Sequence, residues 1–132
     1  MRHSFRVLVS GRSMLPSLSP GDRLLAVRPD RVRRGGVWVV RFREQLLVKR
    51  IVGLPGDLVS VREGRALIKE RGFSGRPGPQ PDGSWALGPD EYIVQGDNDQ
   101  ESTDLRAFGP LGVESLVGRV VIRYWPRPGR IR

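Results

Sequence analysis

The chain has no cysteine, a single histidine and, beside 21 arginines, only two lysines. Without cysteine there is no disulfide framework, no thiol nucleophile and no thiolate-ligated metal. A Ser-His-Asp triad or a histidine metal centre would have to rest on His3, close to the N-terminus, which argues against both. No cofactor and no metal are expected. Long apolar runs are missing as well. The stretch Val37 to Val40 is typical, whereas a bilayer span needs about 20 residues. The apolar patch Val7 to Val9 is too short for the core of a secretion leader. The expectation is a chain with neither transmembrane segment nor signal peptide, placed in the cytoplasm or held peripherally at a membrane.

What is present is a chain of 132 residues, 38% hydrophobic and 28% charged. That length makes one domain over residues 1–132 and can bury a core without staples. Gly 17 and Pro 11 point to many turns and short strands. The net charge of +9 and the pI near 11.4 favour anionic partners: an acidic peptide, nucleic acid or an anionic membrane surface. The arginines are scattered and aromatics make up only 7%, so no specific nucleic acid is expected. A lysine kept in so arginine-rich a chain matters, because lysine can give up its proton and arginine cannot.

The pattern along the chain is β. Strands are expected over Arg6–Val9, Arg23–Val27, Val37–Phe42 and Gln45–Val52. A Pro55-Gly56 turn leads to a hairpin of Leu58–Arg62 with Ala66–Lys69. Glu91–Gln95 and Val117–Tyr124 complete the set. Residues 72–84 read as a Gly/Pro-rich surface loop, and Leu111–Leu116 is the one stretch that reads as a helical turn. The fold class is mostly β: a single compact domain of short antiparallel strands with long loops.

Three segments can carry chemistry. Ser13 follows a strand end and precedes Pro16, in a backbone that cannot continue the strand. By itself it reads most simply as a turn serine. Lys49 lies in Leu46-Leu47-Val48-Lys49-Arg50-Ile51-Val52, where alternation sets it on one face with Leu47 and Ile51. Apolar neighbours disfavour the ammonium and lower the lysine pKa, which suits a general base; the plainer alternative is a lysine that snorkels to water. The polar run Gly96-Asp97-Asn98-Asp99-Gln100-Glu101-Ser102-Thr103-Asp104-Leu105-Arg106 fails the spacing of a calcium loop. It can orient a catalytic group or be a solvated loop.

Taken in order, these residues resemble the type I signal peptidases. Ser13, Met14, Pro16 and Gly21-Asp22 are similar to that family's nucleophile segment. Lys49-Arg50-Ile51-Val52-Gly53-Leu54-Pro55-Gly56-Asp57 resembles its lysine segment. Gly96-Asp97-Asn98, Ser102, Asp104, Arg106 and Phe108-Gly109-Pro110 resemble its C-terminal segment, and Gly118-Arg119-Val120 and Trp125-Pro126 continue the match.

The resemblance implies a Ser/Lys-dyad endopeptidase on a signal-peptidase-like β core, in a short form without membrane anchor. Ser13 would be the nucleophile and Lys49 the general base. The Ser13 N–H would form part of the oxyanion hole. Ser102, Asp104, Arg106, Asp97 and Asn98 would support these groups, and Met14, Leu47 and Ile51 would contact substrate. The substrate is then a polypeptide bound as an added strand and cut after small residues in an Ala-x-Ala pattern. An anionic membrane surface or a tethering subunit is the implied further partner. Residues 72–84 stand where larger relatives carry an insertion. Gly11, Gly36, Leu105 and Ser17 depart from common family residues, and none of them removes a catalytic group. Two other readings stand beside this one: a cytosolic maturation protease for a soluble proprotein such as nickel-type superoxide dismutase, and a non-catalytic peptide- or nucleic-acid-binding β domain.

Overall fold

The protein is described by a computed structural model over residues 2–62, 65–69, 78–79, 85–98 and 109–131. The first strands are β1 (His3–Leu8), β2 (Arg23–Arg28), β3 (Val37–Phe42) and β4 (Gln45–Gly53). The hairpin β5 (Leu58–Arg62) and β6 (Arg65–Lys69) follows, then the short β7 (Gly78–Pro79) and β8 (Trp85–Ala86). The C-terminal part holds β9 (Glu91–Gln95), β10 (Leu111–Gly112), β11 (Leu116–Trp125) and β12 (Gly129–Arg130).

Two antiparallel sheets result. The larger runs β1-β2-β11-β3-β4-β9-β10, with β12 added to β11; the smaller runs β6-β5-β8-β7. The mostly β class is therefore as expected, with strand ends moved by a residue or a few. The helical turn expected in Leu111–Leu116 is present but shorter, covering only Val113–Ser115. The segment splits into β10, this single 3-10 turn and the start of β11. Gly112 and Leu116 are extended at the two ends of that turn, so the segment has no room to become a longer helix. The expected surface loop at 72–84 lies outside the described residues except for Gly78–Pro79, which pairs with Trp85–Ala86.

The apolar run Val37-Trp38-Val39-Val40 is buried at every position. A central strand covered on both faces needs no alternation. Val37 and Val39 join a cluster with Val9, Met14, Leu18 and Leu24. Trp38 and Val40 join another with Ile51, Val94 and Leu111. A third cluster, Val59, Leu87 and Ile93, ties the small sheet to the large one. Strand β4, more exposed at its start, alternates from Lys49 onward, with Lys49, Ile51 and Gly53 buried between half-buried neighbours. At Gly53 a Cβ would come within 2.9 Å of the Ile93 side chain, so glycine lets β4 and β9 approach.

The turn after β4 is built as its sequence requires. Gly56 has φ +88°, the conformation a Pro-Gly turn needs. Asp57 is fully buried, takes the Leu54 N–H at 2.7 Å and binds the Arg34 guanidinium through two bonds of 2.7 and 3.1 Å.

Candidate active site

Between β1 and β2 the chain makes a loop closed at its base. The Val9 N–H donates to the Asp22 carbonyl at 2.9 Å, and the Gly21 N–H donates to the Val9 carbonyl at 2.8 Å. The buried Asp22 carboxylate accepts the Ser19 N–H at 2.9 Å and the Arg123 guanidinium at 3.3 Å. Met14 and Leu18 anchor the loop in the core, each 1% exposed. The partly buried Ser13 sits on the loop's first turn.

The loop is pinned from the end of β9. The Asn98 N–H donates to the Ser13 carbonyl at 2.8 Å, and the Asn98 side-chain amide donates to the Arg12 carbonyl at 2.9 Å. The Ser17 hydroxyl donates to the Asp97 carboxylate at 2.6 Å. Asp97 in turn takes two bonds from Arg50, at 2.8 and 2.7 Å, and Arg50 also donates to the Gly35 carbonyl at 2.6 Å. Burial alone would raise the Asp97 pKa; the hydrogen bonds from Arg50 and Ser17, with the Arg50 charge, overcome it and hold the pKa low. Asp97 and Asn98, expected as supporting residues, thus hold the serine loop. Arg50 and Ser17 had not been assigned a role. The available signal was the Lys49-Arg50 pair, where alternation sends successive side chains to opposite faces.

Lys49 stands next to Arg50 on β4, opposite Trp38 on β3. It is 2% exposed, and burial lowers its pKa. Leu47 and Val48, immediately before it, line one small cavity together with Ser13 and Met14. The cavity holds about 50 Å³, with Val7 and Val9 on its β1 side. Leu8 and Leu46 also border it and are 64% and 55% exposed, giving it an apolar rim. Ile51 is fully buried in the core. Among the described residues the Ser13 hydroxyl and N–H make no hydrogen bond, so Ser13 and the Lys49 strand share this region without a direct bond between the two side chains. Ser102, Asp104 and Arg106 lie outside the described residues. No cluster of potential metal ligands occurs among the described residues.

The two-sheet antiparallel core thus holds the serine turn beside the strand that carries the buried lysine. The family model for "Signal peptidase, peptidase S26" matches residues 3–125, and the chain belongs to this family. It is 33% identical to signal peptidase I of Leptolyngbya laminosa, over 89% of this chain and 67% of that protein. It is 32% identical to the probable signal peptidase I-2 of Synechocystis sp., over 91% of this chain and 62% of the relative. The chain thus spans about two thirds of the length of these relatives. A protein named inactive signal peptidase IA, from Staphylococcus aureus, is 24% identical over 90% of this chain. No helix among the described residues is long and apolar enough to cross a membrane.

Proposed function

We propose that the protein is a serine endopeptidase of the signal peptidase I type, with Ser13 as nucleophile and Lys49 as general base. The observation that carries this reading is a lysine 2% exposed and shifted toward its neutral form by burial, one residue from the cavity that Ser13 lines. A buried lysine without a task is a cost the fold could avoid.

In this reading a leader peptide adds as a strand beside the loop and places its scissile carbonyl over Ser13. Ser13 Oγ attacks the carbonyl carbon as neutral Lys49 takes the hydroxyl proton. The Ser13 N–H, unengaged among the described residues, donates to the developing oxyanion. Lys49 then returns the proton to the leaving amine, which departs and leaves an acyl-enzyme. A water, deprotonated by Lys49, releases the acid. The small cavity lined by Ser13 supports a preference for a small side chain such as Ala at the cut site. Met14 and Leu47 form part of the cavity wall. By the family resemblance, Ser102 would hydrogen-bond the lysine, and Asp104 and Arg106 would form a supporting ion pair.

The test is cleavage of a leader peptide carrying Ala-x-Ala by the wild type, Ser13→Ala and Lys49→Arg. Wild-type cleavage at the expected bond, lost in both variants, is the predicted result. Lys49→Arg is the sharper variant, because it retains charge and cannot act as a base. Substantial activity in Lys49→Arg overturns the dyad. Anionic detergent micelles separate two substrate classes: stimulation marks leaders cut at a membrane surface, and indifference marks a soluble proprotein.

A further inference from the structure

A second concave site lies away from the serine loop. The segment between β2 and β3, together with β11 and the N-terminus, encloses a cleft of about 610 Å³. Its charged lining is Arg2, Asp30, Arg31, Arg33, Arg34 and Arg119. Asp30 binds both Arg2, at 3.1 Å, and Arg119. The hydrogen bond from Arg119 is the main cause of its lowered pKa. Arg34 is matched by the buried Asp57 behind it. Five arginines thus meet two carboxylates, which leaves a surplus of three positive charges. Arg31 and Arg33 make no ion pair among the described residues. Arg119 meets Asp30 through Nε, so its two terminal nitrogens are not used in that bond.

We infer that this cleft binds a multiply charged phosphate group. Arginine forks match phosphate oxygens in pairs. A single carboxylate would leave most of the surplus charge unanswered, whereas a pyrophosphate or a cluster of phosphodiester headgroups meets it. Asp30 serves as the organiser: it holds two guanidiniums in place and leaves the cleft net positive. A separate neighbouring cavity of about 220 Å³ shares Val37 and Ile131 with the cleft and is lined by Ser17 and Arg50.

The experiment uses the full chain and two probes: inorganic pyrophosphate by calorimetry, and phosphatidylglycerol vesicles by cosedimentation, with phosphatidylcholine vesicles as reference. The variants are Arg31→Gln/Arg33→Gln and, as an equal-charge control, Arg6→Gln/Arg41→Gln, two exposed strand positions outside the cleft. The cleft pair is expected to lose about tenfold or more in affinity, since each arginine near an anionic surface contributes about fivefold. The control pair is expected to lose much less. Binding of both probes, or of pyrophosphate alone, marks a site for free phosphate groups; binding of vesicles alone marks a headgroup site. Equal losses in the two pairs, or no binding of either probe by the wild type, overturns the inference. Peptide cleavage away from membranes is expected to be unchanged in the cleft pair, so this result is independent of the dyad.

Discussion

Lys49 sets charge against burial. Its ammonium would lie among Trp38, Leu47 and Ile51, and burial lowers its pKa from the ordinary 10.5. Two consequences follow at the residue scale. Cleavage requires the neutral amine, so kcat/KM is expected to rise with pH through the lowered lysine pKa and then level off. A pH profile with no such rising limb would remove Lys49 from the role of base. The second consequence concerns stability. Between the lowered folded pKa and 10.5 the unfolded chain binds a proton that the folded chain does not, so stability rises with pH across that window. Below it the folded protein carries a buried charge. Lys49→Met is therefore expected to abolish cleavage yet raise neutral-pH stability by about 1 kcal/mol, read as an increase in Tm. A fall in Tm would show that the lysine's own contacts outweigh its desolvation.

At the scale of elements, the serine loop is held less by its own turn than by the end of β9. Asp97 joins Ser17 of the loop to Arg50 of the lysine strand. Asp97→Ala leaves Arg50 without this partner and is expected to cost about 2 kcal/mol. It should lower kcat on the order of a hundredfold through misplacement of Ser13, with KM little changed. Steady-state kinetics alongside thermal melts check both effects. Gly118 gives a purely structural counterpart. A Cβ there would stand 2.6 Å from the Phe5 ring and 3.1 Å from the Val27 carbonyl. Gly118→Ala is expected to lose about 1–3 kcal/mol, with Phe5→Leu in the same chain recovering part of it. Failure of that rescue would put the strain in the backbone contact. These elements also show where sequence reasoning reaches. Strands β2 to β5 and β9 follow from alternation or from a continuous apolar run, both local signals. The Arg50–Asp97 pair spans 47 residues, and no local pattern encodes it. For the same reason the insertion of β11 between β2 and β3 was not legible, since it is decided by pairing partners 76 to 102 residues apart. Lys49 was singled out by strand alternation and Ser13 by the family resemblance, while the bonds that hold the serine loop leave no local signal.

For the whole molecule, charge dominates. A net charge of +9 favours association with anionic surfaces and resists self-association. It also makes the few carboxylates consequential. Asp30 and Asp97 both have lowered pKa values and both anchor arginines. Their stabilising effect is present above the ordinary value of 3.8 and is lost as pH falls through the lowered folded values. Acid unfolding is therefore expected to begin below about pH 3.8, where freed arginines repel one another. Circular dichroism against pH checks this, and Asp30→Asn is expected to move the onset upward.

The place of β11 has a consequence for how the chain is made. The β1–β2 and β3–β4 hairpins are complete by residue 53, but their inner edges meet only through a strand that begins at Leu116. During synthesis, β2 and β3 must wait with open backbone edges until more than half of the chain has been added. At about 5–20 residues per second that wait lasts several seconds. Ribosome-bound chains halted before residue 116 are thus the form most exposed to chaperones and to pairing with one another, and the order of synthesis, rather than the finished core, sets the moment of greatest risk.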